Sequence, residues 1–63
     1  MELNLNLNLS DPDGFYKELI DCQRQMSEAE AAMMNCKLVL LLANHIGNRE
    51  VLRSALRKAG GQV

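Results

Sequence analysis

Cysteine is scarce in this chain. Two are too few for a disulfide framework, and Cys22 and Cys36 lie much further apart than the two to four residues usual between zinc-binding cysteines. Histidine occurs once, as His45. No apolar run approaches the roughly 20 residues that cross a bilayer, so no membrane segment is expected. The N-terminus alternates Leu and Asn and does not follow a positive charge with an apolar run, so no signal peptide is expected either. Together these absences predict a cytoplasmic protein with reduced thiols. Also missing are a nucleophile–base pair, a phosphate-binding glycine loop and paired carboxylates placed for acid–base work. No catalytic, cofactor-binding or metal-binding residues are assigned, and the chain is read as not an enzyme.

Against those absences stands one apolar stretch. From Leu38 to Ala43 six consecutive positions carry no polar side chain, which is enough to cover every side of a helix. A surface helix shows an apolar stripe, whereas one that is apolar all round is buried. Sixty-three residues allow at most one domain, in a size range where a single core is marginal and a helper device is common. With disulfides and metals set aside, oligomerisation is the device left. Charge is divided in a way that suits it. Residues 1–30 hold seven acidic residues and two basic ones, a net of −5, and residues 31–63 hold five basic residues and one acidic, a net of +4. Such a division fits self-association or a mixed-charge partner better than nucleic acid.

In chain order, Leu3, Leu5, Leu7 and Leu9 alternate with Asn4, Asn6 and Asn8, the period of a strand with one buried face. No second strand-like stretch exists, so this strand over residues 1–10 needs an edge from a second copy or another protein, the alternative being a frayed, extended tail. At Asp11-Pro12-Asp13 the period changes. Asp11 can cap a helix, Pro12 suits its first position, and Asp13 complements the dipole. Phe15, Leu19, Cys22 and Met26 then recur at helical spacing, predicting a first helix over 12–25. Ser27 and Glu30 form a capping box, which opens a second helix over 28–46 that Gly47 closes. Asn48 caps a third over 49–59, with Val51, Leu52, Ala55, Leu56 and Ala59 on one stripe and Arg49, Arg53 and Arg57 on another. The linkers are so short that successive helices are expected to pack on each other.

The predicted fold is therefore mainly α: one domain over 1–63, a short N-terminal strand followed by three helices, the strand paired between the subunits of a homodimer. Neighbouring helices cover only part of the second one. The uncovered remainder and the adaptable methionines beside it point to a contact surface. Leu3, Leu5, Leu7, Met33, Met34, Leu38 and Leu41 are the expected interface, filling the intramolecular core being the other role open to Met33 and Met34. Cys22 and Cys36 are read as small core residues. His45 and Cys36 would lie on opposite faces of the helix, which makes them poor co-ligands.

The alternative is a DNA-binding dimer. A polar-alternating strand before two helices resembles the ribbon-helix-helix repressors, in which outward side chains such as Asn4, Asn6 and Asn8 would read base edges. A helix-turn-helix using Arg49, Arg53 and Arg57 is a second form of that reading. Against the ribbon, the segment around the strand is acidic, and phosphate neutralisation supplies most DNA affinity.

Leu3-Asn-Leu, Asp11-Pro-Asp, Phe15-Tyr16 and above all Leu38-Val-Leu-Leu-Leu-Ala-Asn-His-Ile-Gly47 resemble a family of small bacterial proteins of unknown function. The resemblance covers nearly the whole chain. It implies an accessory or subunit role beside a metabolic enzyme, with a flavin-dependent aromatic hydroxylase as the enzyme class that accompanies such proteins. Within it Asn44 and His45 form a possible polar site, since a polar pair is costly beside so apolar a run. Ending the helix ahead of Gly47 is the structural role they would otherwise play. The function expected is a non-catalytic interaction module or accessory subunit acting as a homodimer, with another protein as its further partner and no role for a membrane.

Overall fold

The computed structural model describes residues 1–61: an N-terminal arm, then α1 (Pro12–Gln23), α2 (Glu28–Ile46) and α3 (Arg49–Ala59). Each helix begins where a short polar side chain takes up a free backbone N–H. The Asp11 carboxylate accepts from the Gly14 N–H at 3.2 Å, with Asp11 itself in the left-handed region at φ 47°. The residue before a proline avoids the right-handed α region, and aspartate tolerates the left-handed one. Gly14 matters to this cap because a Cβ there would collide with the Asp11 carboxylate. At α2 the Glu30 N–H donates to the Ser27 hydroxyl at 3.2 Å, and the Ser27 N–H donates to Glu30 Oε1 at 2.9 Å. Asn48 caps α3 by accepting from the Val51 N–H at 2.9 Å.

Helix ends follow local chemistry too. Gly47, at φ 72°, turns the chain out of α2 while its N–H donates to the Ala43 carbonyl. α1 stops at Gln23, two residues short of the end its apolar spacing predicts, because Met26 already turns back to bond the Gln23 carbonyl ahead of the Ser27 cap. Near that end Asp21 binds Lys17 Nζ at 3.0 Å and Arg24 Nη2 at 2.6 Å, one turn away on either side.

The N-terminal strand is not formed. Among the described residues there is no strand and no sheet, so the mainly α class stands without the ribbon that was to pair between subunits. A strand is a property of a pair, and this chain offers Leu3–Leu9 no second edge. The Asn side chains compete as well: the Asn6 N–H donates to Asn4 Oδ1 at 2.9 Å, a local turn that bends the backbone. Nor does the alternation produce two faces. Leu5, Leu7 and Leu9 are exposed, like the asparagines between them, and Leu7 at 103% is fully so. Only Leu3 is half-buried. It lies with Met1, Glu2 and Leu5 over the side of α3 that carries Glu50, Val51 and Ser54.

What this arrangement buries is slight. Val51, 5% exposed, is the one buried residue among those described, and Leu3, Leu52 and Ala55 are half-buried. The short linkers do not lay the helices together, for no pair approaches closely along its length. α1 reaches α2 through Gln23, whose Nε2 donates to Asn35 Oδ1 at 2.7 Å and lies 3.7 Å from Met34 Sδ. The surface left is 5896 Å², where a compact monomer of 7.0 kDa would keep about 4,000 Å². The radius of gyration, 13.3 Å, likewise exceeds the roughly 11 Å of a compact chain of this length.

Candidate interaction surface

α2 carries the surface that stands out. Val39, Leu40, Leu41 and Leu42 are successive leucine and valine side chains 50–70% exposed. Four residues at 100° per residue point in four directions, so no single neighbouring helix could cover them. Two apolar stripes run along the helix on opposed sides. One contains Ala31, Met34, Leu38 and Leu41, and the first three of these are half-buried against their own chain. The other contains Ala29, Met33, Cys36, Leu40 and Ala43, all exposed but the last.

Between the stripes lies an open apolar groove of about 420 Å³, lined by Met26, Met33, Met34, Leu38 and Leu41, with Glu30 and Lys37 on its rim. Four of the expected interface residues, Met33, Met34, Leu38 and Leu41, thus come together. Met33 and Leu41 are exposed there, whereas Met34 and Leu38 are partly used within the chain. Leu3 and Leu5 line a separate depression of about 490 Å³ against α3, and Leu7 lines neither.

Electrostatics on this surface are set by the caps. The Ser27 backbone N–H, and after it the Ser27 side chain, hold the Glu30 carboxyl below its ordinary value. Beside α1, the Arg24 guanidinium and then the Lys17 ammonium hold Asp21 down. Both carboxylates are in water, so these are adjustments of surface charge.

Several expectations about individual residues change. Cys22 and Cys36 are free and exposed, not core residues, since α1 and α2 do not pack closely enough to enclose them. Asn44 and His45 are exposed in the last turn of α2, and neither side chain hydrogen-bonds to another described residue. Closure of α2 there falls to Gly47 alone. No cluster of three or more His, Cys, Asp or Glu side chains is gathered among the described residues. Sequence reading singled out the whole Leu38–Ala43 run but took only Leu38 and Leu41 from it as interface residues. The signal that adds Leu40 is the second apolar period, one hundred and sixty degrees or so around the helix from the first.

No helix among the described residues is long and apolar enough to cross a membrane. No curated protein and no solved structure matches the chain. Residues 3–61 match a family described as "Protein of unknown function (DUF2783)". That match spans both the arm and all three helices, and the chain belongs to this family.

Proposed function

We propose that this protein is a non-catalytic interaction module, an accessory subunit that self-associates as a homodimer and presents its remaining apolar surface to another protein. One observation carries the reading: among its described residues the chain seals only Val51 while leaving Val39, Leu40, Leu41 and Leu42 in water. The excess over a compact monomer's surface, about 1,900 Å², is more than the roughly 800 Å² each partner gives to a standard protein interface. Self-association of standard size would therefore leave surface for a second partner, and the methionines of the α2 groove suit an adaptable contact. A bacterial metabolic enzyme, such as a flavin-dependent hydroxylase, is the class of partner the sequence resemblance implies.

Light scattering on the purified chain tests this directly. Twice the 7.0 kDa monomer mass is expected, with no binding to duplex DNA in an anisotropy titration across salt concentrations. A monomer that binds DNA, with affinity falling steeply as salt rises, would overturn it.

A further inference from the structure

We infer that two copies pair through α2 in antiparallel orientation, with Ala29, Met33, Cys36, Leu40 and Ala43 as the seam between them. This rests on the self-association proposed above and gives it a geometry. The five residues are spaced four, three, four and three apart, the period that keeps one apolar line facing a partner helix. They occupy the side of α2 turned away from its half-buried stripe, and all but Ala43 are exposed, so the chain itself leaves most of this line free.

Size and charge select the direction. Large Met33 and Leu40 alternate with small Ala29, Cys36 and Ala43. In an antiparallel pair whose two-fold axis passes between Met34 and Asn35, Leu40 sits over the partner's Ala29 and Met33 over the partner's Cys36. Each large side chain then meets a small one, and the axes can approach to the short end of the roughly 8–10 Å range. Along the flank Glu30 meets the partner's Lys37, twice by symmetry. The acidic first turn, with Glu28 and Glu30, lies near the end that carries the partner's Arg49. A parallel pair would instead crowd both acidic first turns together and align the two helix dipoles.

The test uses the full chain with Cys22→Ser and Cys36→Ser, adding either Ala29→Cys or Leu40→Cys. Mixed and mildly oxidised, the two variants should give a covalent dimer on a non-reducing gel, and each alone should not. In the antiparallel register two copies of residue 29 lie about 16 Å apart along the axis, beyond disulfide reach. A second measurement needs no substitution. Zero-length carbodiimide coupling of mixed isotope-labelled and unlabelled chain should yield a Glu30–Lys37 link between copies, read by mass spectrometry. Cross-linking of each variant with itself would overturn the orientation. A dimer by light scattering with neither link would overturn the seam while leaving self-association intact. A monomer by light scattering with neither link would overturn both.

Discussion

Single side chains decide where the helices of this protein begin and end. Removing the Ser27 hydroxyl with Ser27→Ala takes away one arm of the α2 capping box and should cost about 1 kcal/mol in urea unfolding at fixed chain concentration. Gly47→Ala forces a Cβ into a left-handed position at φ 72° and should cost about 1 kcal/mol in the same assay. Glu30 gives the cap a pH dependence. Its carboxyl is held below the ordinary 4.5, so its contribution is present above that value and fades as pH falls through the lower folded-state pKa. A carboxyl NMR titration should show Glu30 with a midpoint below 4.5, and Ser27→Ala should move it upward.

At the scale of the element, the three helices were legible and the arm was not. Asp11-Pro12, Ser27 with Glu30, Gly47 and Asn48 are local signals: each satisfies or frees backbone groups within four residues, so no tertiary information is needed to read them. The Leu-Asn alternation of residues 3–9 is a different sort of signal. It says which side chains would share a face if a neighbouring edge existed, and nothing in the chain supplies one. The surface of α2 was legible in part. Met33 and Leu41 are exposed as its apolar excess requires, while Leu38 and Met34 are half-buried, Met34 with the Gln23 amide beside its sulfur. Within the arm the structure separates two leucines of equal spacing. Leu3→Ala, uncovering the patch over Val51, should cost about 1 kcal/mol, whereas Leu7→Ala should change stability by less than about 0.5 kcal/mol. Thermal denaturation of the two variants side by side checks the contrast.

For the molecule as a whole, the imbalance between surface and interior governs behaviour. The chain presents 5896 Å² to water, and the proposed self-association predicts that it loses structure on dilution. Circular-dichroism melts over a hundredfold range of chain concentration should show the midpoint rising with concentration. A midpoint independent of concentration would mean that each copy is stable by itself.

The lone sealed valine in α3 bears on how long such a polypeptide lasts. With so little interior, a copy separated from its company has small resistance to opening, and an opened backbone is what proteases cut. Under the proposed self-association, orphaned molecules would then be cleared while assembled ones survive, and synthesis in excess of available mates would add nothing to the standing pool.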